Sequence, residues 1–124
     1  MDRAFIAIGA LSGCLAVAAG AFGAHALRAR LAPEMLDVFQ TGVTYEMYHA
    51  LGLVGVGILL ARFSTEGSVW LSAAGWLFIA GSLLFSGSLY LLALTGTLRL
   101  GAITPLGGVA FLLGWLALAT GILR

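Results

Sequence analysis

The sequence predicts an all-α, polytopic membrane protein: a bundle of four transmembrane helices with a short amphipathic interfacial helix between the first and second spans. Hydrophobic residues make up 61% of its 124 residues and charged residues only 9%, whereas about a quarter of a soluble domain is charged. Four runs with few or no charges approach or exceed the roughly 20 residues with which a helix crosses hydrocarbon. Because lipid offers no partner to open backbone groups and these runs lack strand-like alternation, helices are predicted rather than barrel strands.

The charged residues and the cysteine count each exclude another class of protein, a nucleic-acid binder and a disulfide scaffold. Six arginines without a lysine and five acidic residues give a net charge of +1, which supplies no basic surface for nucleic acid. The one cysteine, Cys14, cannot form a disulfide within the chain. The predicted partners are therefore membrane lipids and, as an open alternative, further copies of the chain in a homo-oligomer. Neither a cofactor nor a resident metal is predicted.

One domain is predicted over residues 1–124, with spans at about residues 4–24, 44–61, 69–94 and 105–123. The first span has 21 uncharged residues, or roughly 32 Å of helix. The second is the shortest and contains Glu46 and His49 near its start. The third has 26 uncharged residues, enough to tilt in the bilayer. The fourth begins with Pro105, which suits a first helical turn, behind Thr104 as the predicted N-cap.

Residues 33–41 are predicted to form the interfacial helix, which would join the second span near Gly42. Their apolar side chains fall on one helical face and their polar side chains on the other, as in helices that lie at a membrane surface. The apolar residues are Met35, Leu36 and Phe39, and the polar residues are Glu34, Asp37 and Gln40. The remaining loops, residues 62–68 and 95–103, are short.

Two further patterns bear on processing and orientation. Residues 11–14 match the spacing of a lipoprotein cleavage box, but the chain stays apolar after Cys14, so a small buried residue of the first helix is predicted there. The arginines do not set an orientation, because three lie on the side of the termini and three on the opposite side. The first group is Arg3, Arg62 and Arg124, and the second is Arg28, Arg30 and Arg99.

Glycines spaced three, four or seven residues apart mark the predicted contact faces, because helices in lipid associate through close approach of their backbones. The first span has Gly9, Gly13, Gly20 and Gly23 on one stripe, and the last span has Gly107, Gly114 and Gly121. These stripes predict a compact bundle. The alternative, in which a stripe faces a second copy of the chain, leaves a homo-oligomer open.

The polar residues inside the spans are predicted to meet in one interfacial pocket, at the end of the bundle opposite the termini. They are His25, Glu46, His49, Ser86, Tyr90 and Thr104. Ionisable side chains cost about 2.5–3.5 kcal/mol at the centre of a bilayer, so they usually face the protein interior and find partners. Hydrogen-bonded anchoring of helix ends is the favoured interpretation. The alternatives are a lipid, substrate or proton site and a metal bound by His25, Glu46 and His49.

Four segments together resemble the YgdD/YwdK family of small bacterial membrane proteins. They are residues 20–27, 41–51, 84–90 and 104–115. The resemblance extends over nearly the whole chain, and it implies a four-span protein of the bacterial inner membrane in a family of unknown function. It also implies that relatives often have glutamine at the position of Glu46, where a hydrogen-bonding side chain would then be required.

The predicted function is that of a non-enzymatic integral membrane protein, a structural, accessory or lipid- or partner-binding component. The alternative is a small transporter or proton-conducting protein that uses the polar pocket. Transport needs a polar route across both leaflets, and the half of the bundle near the termini has only serine hydroxyls and glycines, so the first hypothesis is favoured. Ser86, His25 and Glu46 are residue types of a hydrolytic triad, but no nucleophile elbow accompanies them.

Overall fold

The protein is described by a computed structural model over residues 1–63 and 66–124; Ser64 and Thr65, in the predicted loop 62–68, lie outside the described residues. Regular secondary structure in the described residues is helical throughout. Four helices are long and apolar enough to cross a membrane: α1 (Asp2–Leu27), α2 (Pro33–Arg62), α3 (Ser68–Thr95) and α4 (Leu98–Leu123). The all-α, four-span prediction is therefore confirmed.

Three of the helices contain short segments with other hydrogen-bonding patterns. The last turn of α1, Gly23–Leu27, is a π-helix, and so is Ser82–Ser86 in the middle of α3. The fourth helix begins with a 3₁₀ turn, Leu98–Ala102, and continues as an α-helix over Thr104–Leu123. Each π segment inserts one extra residue into its turn and so changes which side chains the helix presents to its neighbours.

The second helix differs from the prediction, because residues 33–41 are its first turns and not a separate interfacial helix. It begins with Pro33 at its first turn and continues for 30 residues. Gly42, the predicted junction, does not interrupt it. A side chain there would meet the ring of Tyr90, with the added Cβ 2.8 Å from Tyr90 Cε1. Glycine at this position therefore permits a close helix contact and does not mark the end of a helix.

The continuous α2 places Glu46 and His49 deep in the bundle. Glu46 lies 13 residues after Pro33 and 16 before Arg62, so roughly 20 Å of helix separate it from one end and roughly 24 Å from the other. The prediction that these two side chains lie in the first turns of their helix is therefore wrong. They lie near the middle of α2, and an ionisable group becomes more costly toward the centre of a bilayer.

Glycines bring α1 and α2 together as an antiparallel pair. A Cβ on Gly9 would lie 2.8 Å from the carbonyl oxygen of Ala50, and one on Gly23 would lie 2.6 Å from Gln40 Nε2. Gly20 is close to Val43 in the same way, at 3.3 Å. Gly13 is the looser member of the predicted stripe, since its nearest such neighbour is 3.9 Å away. Such contacts leave no room for larger side chains along most of this stripe.

The glycines of α4 make equally close contacts with α3. A Cβ on Gly107 would overlap the backbone nitrogen of Phe85, and one on Gly114 would lie 2.7 Å from the ring of Phe78. A Cβ on Gly121 would lie 3.0 Å from the side chain of Leu71. The bundle is thus two glycine-packed pairs, α1 with α2 and α3 with α4, which meet where α2 packs on α3.

Two clusters of buried apolar residues hold the pairs together. The larger one contains Phe5, Leu53, Val56, Ala74, Phe78, Phe111 and Ala117. The smaller one, near the opposite end of the bundle, contains Leu27, Phe39 and Ala93. Since lipid is as apolar as these side chains, the clusters stabilise the bundle through packing and not through removal of water.

Two smaller predictions are corrected by the structure. Thr104 is not an N-cap, because the chain is already in a helical turn before it and its hydroxyl instead lies 2.6 Å from that of Ser88. Cys14 is exposed and not buried. It lies on the side of α1 that faces away from α2, where the surrounding residues of the helix are also exposed.

Ser86 provides a hydrogen bond between α2 and α3 that can be tested by mutation. Its hydroxyl donates to the carbonyl oxygen of Gly42 at 2.7 Å, and its side chain is buried. Ser86→Ala is expected to lower the free energy of unfolding by about 0.6 kcal/mol and by no more than about 1.7 kcal/mol, the average and the maximum found for such bonds in a membrane protein. Unfolding in mixed detergent micelles measures this. Ser82→Ala, in the same π segment, is the control, and an equal loss in both variants would contradict the assignment.

Candidate functional site

A cleft lies between α1 and α3, with α2 as its floor. The two walls touch at one end, where Phe5 packs edge-on against Trp76 with ring centroids 5.5 Å apart. Near the other end they are closed off by the smaller apolar cluster of Leu27, Phe39 and Ala93. Between these points the helices stand apart and enclose about 350 Å³. This volume lies at the lower end of the range of roughly 300–1,000 Å³ for small-molecule sites.

The walls of the cleft are apolar, and its mouth faces the surrounding lipid. Leu11 and Leu15 line it from α1 and Leu83 lines it from α3. These side chains are also among the most exposed of the protein, at 67%, 63% and 71%. Side chains that line the cleft and are also exposed lie at its rim. This rim is on the outer surface of α1 and α3, so the cleft opens sideways into the hydrocarbon and not toward water.

A carboxyl group with two hydroxyl donors forms the polar part of the floor. Glu46 Oε1 accepts a hydrogen bond from the hydroxyl of Tyr90 at 2.6 Å, and Oε2 accepts one from Ser12 Oγ at 3.1 Å. One side chain of α2 is thereby bonded to both walls of the cleft. Gly42 makes this possible, because it lets the ring of Tyr90 approach α2 one turn before Glu46.

Glu46 has no cationic partner among residues 1–63 and 66–124. The ion pair recorded there joins the amino group of Met1 to Asp2 at 3.7 Å, far from the cleft. The arginines are exposed, close to the ends of the helices. A carboxyl group near mid-span is therefore stabilised by two neutral donors alone, although a carboxylate has about four acceptor positions.

The π segment of α3 shapes the wall opposite α1. Ser82, Leu83 and Ser86 all belong to it and line the cleft, and Gly87 follows immediately. A Cβ on Gly87 would have no heavy atom within 4 Å. The wall is therefore recessed at Gly87, and the recess is part of the cleft. Single π turns of this kind occur frequently at functional sites.

His49 lies beside the cleft with both ring nitrogens hydrogen-bonded. Its Nδ1 donates to the carbonyl oxygen of Tyr45 at 2.7 Å, and its Nε2 accepts from the indole N–H of Trp115 at 3.0 Å. The ring stacks on Phe111 with centroids 3.4 Å apart. Since a carbonyl can only accept and an indole N–H can only donate, these partners assign the neutral Nδ1–H tautomer.

A second cleft, of about 840 Å³, lies on the other side of His49 between α2 and α4. Its walls are aromatic and apolar, with Tyr45 and Tyr48 from α2 and Phe111 and Trp115 from α4. No acidic side chain lines it. His49 is thus part of the partition between the two clefts, and only the first cleft has an ionisable acid on its floor.

The structure brings four of the six predicted pocket residues together. Glu46, His49, Ser86 and Tyr90 line the first cleft. His25 does not, since it is exposed in the last turn of α1. Thr104 lies outside the cleft, bonded to Ser88. With His25 elsewhere, the metal ligand set of His25, Glu46 and His49 does not form, and residues 1–63 and 66–124 contain no other group of three metal-binding side chains.

Two partners in the site were not identified from the sequence. Ser12, the one hydroxyl side chain of the first span, donates a hydrogen bond to Glu46. Its position on the face toward α2 could have identified it as a donor. Trp115 lies within the last span, 11 residues after Thr104 and 8 before Leu123. A tryptophan at that depth requires a hydrogen-bond partner for its N–H, which points to a buried acceptor such as His49.

Comparisons with known proteins place this chain among proteins of the same length. A family model described as "Protein of unknown function (DUF423)" matches residues 19–108. The UPF0382 membrane protein YwdK of Bacillus subtilis is 50% identical over 122 residues, which cover 98% of each chain. A UPF0382 membrane protein of Staphylococcus saprophyticus is 47% identical over the same share of both chains. One of Staphylococcus epidermidis is 46% identical, over 98% of this chain and 97% of its own. No solved structure matches.

Proposed function

This chain belongs to the DUF423 family of membrane proteins of unknown function, and we propose that it is a non-enzymatic component that binds a lipid-soluble ligand in the cleft between α1 and α3. Membership confirms the resemblance to the YgdD/YwdK group. The observation that supports the proposal is the cleft itself: a recess of about 350 Å³ that opens to lipid and has a carboxyl group on its floor. We place the protein in the bacterial inner (plasma) membrane, because its relatives are bacterial membrane proteins.

The shape of the cleft favours one extended apolar chain over a whole phospholipid. Its volume is small, and its mouth is bordered by Leu11, Leu15 and Leu83. Lipid tails are as apolar as these walls, so a bound chain gains little from burial alone. Selective binding therefore requires close packing in the recess and a polar contact that bulk lipid does not offer. Glu46, with Ser12 and Tyr90, is the polar group within reach.

The hydrogen bonds favour binding over proton conduction. Glu46 and His49 are not bonded to each other: Glu46 accepts from Tyr90 and Ser12, while the ring of His49 joins Tyr45 to Trp115. A proton relay through these two groups would have to break these bonds. The hydroxyl of Ser86 donates to a backbone carbonyl and not to a histidine, which argues against a hydrolytic role.

Filling the recess at Gly87 tests the proposal. Gly87→Leu places a side chain in open space inside the cleft, so we expect it to fold and to exclude a ligand. Gly55→Leu on α2 is the matched control, because its Cβ is equally unobstructed and Gly55 lines none of the clefts described above. The probe is dodecanol with a photoreactive diazirine, added to each variant in phosphatidylcholine nanodiscs.

Wild-type protein and Gly55→Leu are expected to be labelled at the residues that line the cleft. Gly87→Leu is expected to reduce this labelling roughly tenfold, which corresponds to about 1.4 kcal/mol of lost binding. Mass spectrometry of the digested protein locates the labelled residues. Labelling of Gly87→Leu at the wild-type level, on the same residues, would overturn the proposed site.

A further inference from the structure

We infer that the ligand of this cleft is an amphiphilic organic cation, an ammonium group on an alkyl chain, whose charge pairs with Glu46. The inference rests on the proposed function and concerns the same cleft. It identifies the class of molecule that this site would select from the many apolar molecules dissolved in a membrane.

The side chains that line the cleft provide no positive charge to pair with Glu46. Glu46 is held near mid-span by the hydroxyls of Tyr90 and Ser12, both neutral. Of the other side chains that line the cleft, only His49 and Tyr90 can titrate, and the hydrogen bonds of His49 assign its neutral form. No side chain lining the cleft is cationic. A positive group would neutralise Glu46 in its ionised form, and the described residues that line the cleft supply none.

The residues around Glu46 suit both the ammonium group and the alkyl chain of such a molecule. Two acceptor positions of the carboxyl group are used by hydroxyl donors, and a carboxylate has about four. The ring of Tyr90 also lines the cleft, and aromatic faces attract ammonium groups. Leu11 and Leu83 border the mouth and provide the apolar contact for an alkyl chain. A neutral amphiphile would leave the acid without a counter-charge, and an anionic one would be repelled by it.

The depth of Glu46 excludes a simpler source of positive charge. Choline and ethanolamine headgroups of phospholipids stay at the membrane surface, whereas Glu46 is 13 residues from the nearer end of α2. A molecule that brings a cation to that depth must be soluble in the hydrocarbon itself and must reach the site from the side. The lateral mouth of the cleft is suited to this route.

Matched amphiphiles with one chain and three headgroups test the inference. Equilibrium binding of dodecylammonium, dodecanol and dodecyl sulfate is measured on the full chain in phosphatidylcholine nanodiscs, after subtraction of protein-free discs. Wild-type protein is expected to bind the ammonium compound at least roughly tenfold more tightly than dodecanol, and dodecyl sulfate least tightly. Equal affinities for ammonium and sulfate would overturn the inference without any variant.

Two variants separate this inference from the proposed function. Glu46→Gln removes the charge but keeps an acceptor for Tyr90, and it is expected to reduce ammonium binding roughly tenfold with little change for dodecanol. Gly87→Leu is expected to weaken both compounds. If Glu46→Gln binds ammonium as wild type does while Gly87→Leu weakens both, the cation inference fails and the apolar site stands. If Gly87→Leu changes neither, the proposed function fails too.

Discussion

Replacing His49 with alanine is expected to lower the free energy of unfolding by roughly 3–4 kcal/mol. The ring is only 4% exposed and is enclosed by Phe78, Phe111 and Trp115. Its removal leaves a cavity in the partition between the two clefts. It also leaves the indole N–H of Trp115 without its acceptor, in a region where no water replaces it. Both losses act on the contact between α2 and α4.

The other histidine is the control for this prediction. His25→Ala is expected to change the free energy of unfolding by less than about 0.5 kcal/mol, because His25 is exposed and forms no side-chain hydrogen bond among those described in the structure. Trp115→Phe keeps an aromatic ring but removes the donor, so a loss of about 1 kcal/mol is expected. Reversible unfolding in mixed micelles measures all three. Equal effects of His49→Ala and His25→Ala would contradict the structural role of His49.

The number and approximate position of the spans were predictable because they depend on composition alone. Runs without charge, such as residues 4–24 and 69–94, have one stable arrangement in a bilayer, whatever their neighbours are. The helices extend beyond the predicted limits, and α1 for example includes Asp2 and His25. Polar residues at the ends of a span can remain helical while they reach the membrane surface, so the uncharged core underestimates the length of a helix.

The depth of Glu46 was not predictable, because it depends on a helix contact and not on a local pattern. The amphipathic pattern of residues 33–41 predicts a junction near Gly42, and glycine is common just after the end of a helix. In the structure it accommodates the ring of Tyr90, a residue 48 positions later in the chain. Only that tertiary contact distinguishes a glycine that ends a helix from one that permits close packing. The predicted position of Glu46 in the first turns of a span depends on that junction.

The cleft depends on features that a single sequence does not display. The recess at Gly87 directly follows the π segment Ser82–Ser86, and nothing in the order of those residues marks an extra residue in the turn. The tautomer of His49 depends in part on Trp115, which lies 66 positions later in the chain. In contrast, the types of residue in the site were predictable, because an acid inside a span requires hydrogen-bond donors near it.

The close packing of α3 on α4 leads to the second large effect. Gly107→Ala is expected to lower the free energy of unfolding by roughly 2–3 kcal/mol, because the new methyl group would overlap the backbone of Phe85. Backbone atoms cannot move aside as the end of a flexible side chain can. The helices would have to separate, and this would disturb Phe85 and the π segment that ends at its neighbour Ser86.

The adjacent glycine shows whether this effect is due to contact or to loss of glycine itself. Gly108→Ala places its methyl group 3.9 Å from the ring of Phe85, an ordinary distance, so its free energy of unfolding is expected to stay within about 0.5 kcal/mol of wild type. Alanine is also the better helix former of the two residues, so a small stabilisation is compatible with the structure. Equal destabilisation by both substitutions would show that α4 does not pack on α3 through Gly107. Because Ser86 belongs to this π segment and Gly87 follows it, ligand binding by Gly107→Ala should weaken together with its stability.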